Sequence, residues 1–211
     1  MPKKQQQSEA KRTRLSGEER RESILRSAKH VFARSTYAEA STGELARESE
    51  VTEPMLYKHF GSKKGLFLAV LGESARRFRE ALQERISRRA EQNVLEALTH
   101  IIDDYGAAIK ADPETQRILF QAVSESGDPE IARCISKHNR NLYGFIRQFV
   151  ERARQEGYLN PAIDLDVATW GYMSIILTIQ YSLMLDLTGE VMRVREEMGR
   201  VWLRGLRAGT D

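Results

Sequence analysis

Residues 41–60 read STGELARESEVTEPMLYKHF, and two short helices are predicted within this stretch. The first is expected to begin with a capping box, in which the side chains of Ser41 and Glu44 each accept a hydrogen bond from the other residue's backbone N–H. It is expected to end near residue 49. The second is expected to begin after Thr52, whose hydroxyl can cap it, with Pro54 in its first turn, and to run to residue 60.

The two helices are expected to cross at close range, because Ala46 is small, and Val51 and Leu56 are apolar and can fill the angle between them. This is the helix-turn-helix arrangement, in which the second helix presents its outer face to a DNA major groove. That outer face is rich in side chains that can contact DNA: Glu53, Met55, Tyr57, Lys58 and His59.

The rest of the chain also reads as helices. Ser16 and Glu19 can form a capping box, and Ser62 can cap a fourth helix. Further helices are predicted over residues 63–90, 94–111, 114–125, 130–156, 165–187 and 191–208, from apolar residues at helical spacing. No segment alternates between apolar and polar residues as a strand would. The predicted fold class is all-α, with left-handed glycines just past three helix ends, at Gly127, Gly157 and Gly189.

Composition excludes several classes of protein. The longest apolar run is residues 66–71, far shorter than the roughly 20 residues of a membrane span, so we expect no membrane partner. Residues 1–15 lack the apolar segment of a secretory signal, and we expect a disordered basic arm on a cytoplasmic protein. Cys134 is the only cysteine, which excludes an internal disulfide and a zinc site built from cysteines.

The motifs of residues 18–72, taken in order, resemble those of the TetR-type transcriptional regulators. The resemblance is carried by Phe32-Ala33, Leu45-Ala46, Val51-Thr52, Leu56-Tyr57-Lys58-His59-Phe60 and Ser62-Lys63-Lys64-Gly65-Leu66. It implies an N-terminal three-helix DNA-binding domain over residues 16–72. A fourth helix would link this domain to a C-terminal helical bundle, over residues 73–211, that binds an effector and dimerises.

The same resemblance implies which side chains contact DNA. Ser41 and Thr42 would bind backbone phosphate at a helix N-terminus, as free N–H groups there favour. Glu53, Pro54 and Met55 would face base edges. The remaining implied contacts, to phosphate or adjacent bases, are Thr52, Tyr57, Lys58, His59 and Lys63. Tyr57 could instead pack against the first helix, and His59 could be a half-buried histidine without a DNA contact.

The resemblance also implies a homodimer, whose last two helices form a four-helix bundle with their two-fold mates and which binds pseudo-palindromic double-stranded operator DNA. A small, mostly apolar effector is expected in the second domain. Any single candidate is more often a core or interface residue than a ligand contact. The candidate effector residues are the polar Tyr105, Gln121, His138, Asn141, Tyr172, Gln180 and Tyr181, with Phe120, Phe145, Trp170 and Met173 as apolar walls.

Two positions depart from the pattern of the family. Glu50 stands where the turn usually has glycine, and a left-handed glutamate there costs on the order of 1–2 kcal/mol. Gly43 stands where relatives often have a longer side chain that could reach DNA. His100, with Asp103 and Asp104 nearby in sequence, invites a metal interpretation, but no second cluster accompanies it. We expect no metal, no cofactor and no catalytic residues.

The charge is distributed unevenly along the chain. Its formal net charge is only +3, but residues 1–64 hold 14 Lys and Arg against 9 Asp and Glu, whereas residues 65–211 hold 19 against 21. A basic N-terminal part beside a slightly acidic remainder favours a DNA-binding regulator, and the sequence predicts a repressor released by an effector. The alternatives are a DNA-binding regulator without an effector and a helical-bundle enzyme. No nucleophile–base pair or phosphate-binding glycine loop in the sequence supports the enzyme hypothesis.

Overall fold

The computed structural model describes residues 16–207, apart from the side chains of Leu183, Met184 and Thr188. Within this range it has helices and turns and no strand, which confirms the all-α prediction. The predicted arm of residues 1–15 lies outside the described residues. The helices are α1 (Gly17–Arg34), α2 (Thr42–Glu48), α3 (Glu53–Phe60), α4 (Lys63–Gln92), α5 (Val94–Ala111), α6 (Pro113–Ser124), α7 (Pro129–Gln155), α8 (Leu165–Met184) and α9 (Thr188–Leu206).

The predicted capping box at the start of α1 is confirmed. Glu19 N donates to Ser16 Oγ at 3.2 Å, and Ser16 N donates to Glu19 Oε2 at 2.8 Å. At the start of α2 only half of the predicted box forms, because the Glu44 carboxylate bonds the Arg34 guanidinium at 3.0 Å instead. A guanidinium from a neighbouring helix is a stronger partner for a carboxylate than a neutral backbone N–H.

The prediction of left-handed glycines at three helix ends is confirmed at one of them. Gly157 has φ 82°, but Gly127 is not left-handed and Gly189 lies inside α9. Helix α8 ends earlier than expected, and Asp186 takes the left-handed conformation there with φ 56°. Leu187 N then reaches back to Ser182 O at 2.9 Å. This bond satisfies a terminal carbonyl of α8 without a glycine.

The buried residues form two hydrophobic cores. One core joins α5, α8 and α9 to the later parts of α4 and α7. The other joins α1, α2 and α3 to the first turns of α4, and it also includes Ile118, Leu119 and Ala122 of α6 and Ile131 of α7. Helix α6 therefore belongs to the core that supports the helix-turn-helix, although it follows that segment by more than 50 residues in sequence.

The acidic residues around His100 are occupied by ion pairs. His100 lies 3.3 Å from both Glu96 and Asp103, Asp103 also pairs with Arg195, and Asp104 pairs with Arg89. Within the described part of the chain, no group of three potential ligands could hold a metal ion. In the same part, no helix is long and apolar enough to cross a membrane.

Candidate nucleic-acid interface and effector cavity

The helix-turn-helix is held together by small and aliphatic side chains. Leu45 and Leu56 are fully buried, Ala46 is nearly so, and Val51 packs against them while partly exposed. Because these four residues close the angle between α2 and α3, the position of α3 is fixed by packing. The Thr52 hydroxyl caps α3 by accepting from Met55 N at 3.4 Å.

The turn between the two helices contains a left-handed glutamate. Glu50 has φ 52°, a conformation that costs an L-residue roughly 1–2 kcal/mol relative to glycine. Val51 N donates to Ala46 O at 3.0 Å across this turn. The chain therefore makes the same tight turn that glycine would allow, at some expense in stability.

Most of the predicted DNA contacts of α3 share one exposed surface. Thr52, Glu53, Pro54, Met55, Tyr57 and Lys58 are exposed, and His59 is half-buried with its ring centroid 6.1 Å from that of Phe60. Tyr57 is 40% exposed, so its ring is available to a ligand outside the protein.

Glu53 is held over the N-terminus of α2. The Thr42 hydroxyl donates to Glu53 Oε2 at 3.0 Å, and a Cβ at Gly43 would lie 3.4 Å from Glu53 Oε1. A long side chain at position 43 would crowd this carboxylate. Gly43 and Thr42 therefore fix where the acceptor group of the recognition helix lies.

Lys63 is pre-positioned at the start of α4. Its Nζ donates to Ala38 O at 3.1 Å and lies 4.9 Å from the centroid of the Tyr37 ring, within the range of a cation–π contact. Next to it, a Cβ at Gly65 would lie 2.1 Å from Phe60 O. The end of α3 therefore rests directly on the backbone of α4, which ties the recognition helix to the helix that leads into the second core.

A cleft of about 310 Å³ lies between α6, α7 and α8. Four of the candidate effector residues, Phe120, His138, Gln180 and Tyr181, line it. The other lining residues were not singled out from the sequence, although the spacing of Gln116, Leu119 and Val123 would place them on one face of α6 with Phe120. The full lining is Gln116, Leu119, Phe120, Val123, Ser126, Ile135, His138, Asn139, Leu177, Gln180 and Tyr181.

The other candidate effector residues lie elsewhere. Tyr105 is fully buried beside the cleft, where its hydroxyl accepts a hydrogen bond from Gln180 Nε2. Asn141 and Phe145 line a separate, more polar cleft, and Tyr172 and Met173 are buried in the first core. Trp170 is 56% exposed and stacks on Tyr143 with ring centroids 5.0 Å apart. Gln121 faces away from the cleft, towards α1.

Two titratable groups near the cleft are strongly perturbed. Burial lowers the pKa of His138 from 6.5 to about 4, with a further contribution from the charge of Arg79. Burial raises the pKa of Tyr105 to about 12, against the opposing effect of the neighbouring amides of Gln180 and Gln116. Both side chains are therefore uncharged at neutral pH.

Helix α6 connects the cleft to the helix-turn-helix core. Gln121 Nε2 donates to Phe32 O at 2.5 Å and to Ser35 O at 3.1 Å, both at the end of α1. Lys29 of α1 bonds Asp112, the N-cap of α6, at 2.5 Å. Burial acts to raise the pKa of Asp112, but the bonds from Lys29 and Thr115 outweigh burial and lower it. The N-terminal helix is thus anchored at both ends of α6.

Comparisons with known proteins agree with this architecture. Residues 24–70 match the family model described as bacterial regulatory proteins, tetR family. The transcriptional regulator UidR of Escherichia coli K12 is 24% identical over 175 residues, which cover 79% of this chain and 81% of UidR. A TetR regulator from Haloarcula marismortui superimposes with a TM-score of 0.77 at 15% identity, over 90% of this chain and 98% of its own.

A second solved structure, the regulator FadR from Bacillus subtilis in complex with stearoyl-CoA, has a TM-score of 0.73 at 16% identity, and the match covers 88% of this chain and 99% of FadR. The family's sequence pattern lies on the helix-turn-helix itself, and its fold extends over nearly the whole chain. Residues 24–70 therefore form a helix-turn-helix domain of the tetR family, and the fold of nearly the whole chain is similar to that of TetR-family transcriptional regulators.

Proposed function

We propose that the protein is a homodimeric repressor that leaves its operator when a small effector occupies the cleft between α6, α7 and α8. Residues 16–72 would bind DNA, and residues 73–211 would bind the effector and form the dimer. The observation that carries this proposal is the position of Leu119. This buried residue of α6 lines the cleft and is also part of the core that supports the helix-turn-helix.

The role of Leu119 matters because protein interiors are close-packed. A ligand that displaces a wall of the cleft also displaces a side chain of the second core, which cannot absorb the change without shifting its neighbours. Ile135 of α7 likewise lines the cleft and packs against that core. An effector that binds better to one arrangement than to the other would therefore shift the position of α1 and of the recognition helix.

The exposed face of α3 supports the DNA-binding residues of this proposal. Glu53 and Met55 are directed to base edges, and Tyr57, Lys58 and Lys63 to the DNA backbone, with Ser41 and Thr42 at the N-terminus of α2. To bind a phosphate, Lys63 would exchange its bond to Ala38 O for a stronger one to an anionic oxygen while staying close to the Tyr37 ring.

An apolar stripe on α8 supports the homodimer. Val167, Trp170, Tyr181 and Leu185 are all exposed, with Leu177 partly exposed between them, at spacings typical of one helix face. Val194 and Val201 of α9 extend the exposed apolar surface. A contiguous patch of this kind is typical of an interface, and pairing it with a second copy would bury it under two-fold symmetry.

The DNA interface is tested with a duplex selected from a random library by the purified protein. We expect the double variant Tyr57→Ala with Lys63→Ala to bind that duplex at least tenfold more weakly, since charge-assisted hydrogen bonds contribute about 1.5–3 kcal/mol. The matched control is Tyr158→Ala with Lys110→Ala, two exposed residues outside the helix-turn-helix. Equal affinities for the two double variants, measured by fluorescence anisotropy, would refute the assignment.

The dimer is tested by light scattering after size-exclusion chromatography. We expect Trp170→Glu to give a monomer that binds the selected duplex weakly, because a monomer has one recognition helix and can contact only one half-site. Tyr158→Glu, which places the same charge on an exposed aromatic position away from the stripe, should remain dimeric. A monomeric wild-type protein, or a dimeric Trp170→Glu variant, would contradict the proposed interface.

A further inference from the structure

The cleft between α6, α7 and α8 is lined without charge. Among its described lining residues none is Asp, Glu, Lys or Arg, and about half are apolar, among them Leu119, Phe120 and Leu177. The remainder are neutral polar groups. A carboxylate or a phosphate brought into such a site would lose its hydration and gain no counter-charge, which costs several kcal/mol for an ionised group.

The cation that acts on His138 does not line the cleft. Arg79 of α4 acts on the imidazole electrostatically, but its side chain lines the separate cleft that contains Asn141 and Phe145. It is therefore not among the walls that a ligand between α6, α7 and α8 would touch.

Two buried polar side chains of the cleft, His138 and Gln116, have nitrogen atoms without a hydrogen-bond partner among the described residues. His138 is 6% exposed, and neither its Nδ1 nor its Nε2 has a hydrogen-bond partner among the described residues. Its ring is tilted by 56° relative to that of Phe78, with centroids 6.4 Å apart. A neutral imidazole carries one donor and one acceptor, and leaving them unsatisfied in a buried site is costly.

Gln180, another polar residue of the cleft, has a partner already. Gln180 Nε2 donates to the Tyr105 hydroxyl, which is itself fully buried. The imidazole offers a ligand both a donor and an acceptor, whereas Gln116 Nε2 offers a donor only, and the aliphatic and aromatic walls cover the rest of the molecule.

We infer that the cleft takes an uncharged, mainly apolar molecule with one hydrogen-bonding group, such as a medium-chain alcohol, ketone or lactone, and that His138 binds this group. The inference rests on the proposed effector cleft and specifies its ligand class. It excludes free carboxylic acids and coenzyme A thioesters as ligands. The volume of about 310 Å³ is at the lower end of the range for small-molecule sites, which suits a single acyclic or monocyclic compound.

The test uses the full-length protein with three probes of equal chain length: 1-decanol, decanoate and decanoyl-coenzyme A. Calorimetric titration at neutral pH should give binding of 1-decanol at least tenfold tighter than that of either anion. The His138→Leu variant should bind 1-decanol about three- to tenfold more weakly, the loss expected for one hydrogen bond. His138→Gln, which keeps a donor and an acceptor, should recover part of the affinity.

The matched control is His100→Leu, which replaces a histidine held by ion pairs on α5, outside the cleft, and should leave 1-decanol affinity unchanged. Decanoate binding as tightly as 1-decanol would overturn the inference, as would unchanged affinity in His138→Leu. Failure of every C8–C12 alcohol, ketone and lactone in a panel to bind would also overturn it. Binding of 1-decanol that leaves the protein on its selected duplex would refute effector release but not the ligand class.

Discussion

Replacing Glu50 by glycine should stabilise the protein, because position 50 is left-handed with φ 52°. Relief of the left-handed strain contributes roughly 1–2 kcal/mol. The greater freedom of glycine in the unfolded chain subtracts roughly 0.4–1 kcal/mol. The net gain in the free energy of unfolding is then about 0–1.6 kcal/mol, and its central value of about 0.8 kcal/mol corresponds to a rise in Tm of roughly 2–3 °C for a chain of this size.

Urea and thermal unfolding of Glu50→Gly measure this gain, with Glu84→Gly as the control. Glu84 lies in the middle of α4, is exposed and has an ordinary helical conformation. Both variants lose one negative charge, but glycine at position 84 should destabilise by about 1 kcal/mol, because it frees a helical backbone. If Glu50→Gly were no more stable than the wild type while Glu84→Gly lost stability as expected, the strain argument for the turn would be wrong.

Three further predictions follow from the contacts described above. Gly65→Ala should destabilise the protein by about 1–3 kcal/mol and weaken its DNA binding, because the added Cβ would lie 2.1 Å from Phe60 O. Gly72→Ala, in open space on the same helix, should do neither, and urea unfolding and fluorescence anisotropy measure the stability and the DNA affinity. The pKa of His138 is 6.5 in the unfolded chain and about 4 in the folded protein, so the free energy of unfolding should fall by about 3 kcal/mol as the pH is lowered from 6.5 to 4. Unfolding measured at several pH values should show this loss in the wild type and not in His138→Gln. If Lys58 and Lys63 neutralise two phosphates per protomer, a plot of the logarithm of the dimer's affinity for DNA against the logarithm of salt concentration should have a slope of about −4. Lys63→Ala should make this slope about 2 shallower, and a flat plot would contradict the phosphate contacts.

Local sequence predicts the features that depend on neighbouring residues. Ser16, Thr52 and Ser62 cap the helices assigned to them, since a cap involves only the next three residues. The packed set Leu45, Ala46 and Leu56 follows from periodicity within 12 residues, and it is buried as expected. This is why the helix-turn-helix could be recognised from its sequence with most of its side-chain orientations.

The features that sequence did not predict depend on contacts between distant segments. Glu44 pairs with Arg34 instead of completing its capping box, and Gln121 donates to the backbone of α1 instead of facing the cleft. Trp170 reads as an apolar wall in sequence, but α8 carries two apolar faces, and periodicity alone does not tell which one meets the bundle and which remains exposed. Only the arrangement of the helices separates these cases.

The relative strength of the contacts between α6 and α1 indicates which of them would couple the cleft to DNA binding in the proposed mechanism. The pair of His30 and Glu114 at 2.7 Å is largely exposed, and such pairs contribute no more than about 1 kcal/mol. By contrast, Gln121 donates two hydrogen bonds to the end of α1, each contributing about 0.5–1.5 kcal/mol.

Leu119 is buried, and replacing a buried leucine by alanine typically lowers the free energy of unfolding by about 2–5 kcal/mol. Allosteric coupling free energies are typically about 1–3 kcal/mol, so these two residues of α6 are sufficient to account for one. The surface ion pairs are not needed. A ligand that shifts Leu119 by entering the cleft would have to strain or break the bonds of Gln121, because both side chains project from the same turn of a rigid helix.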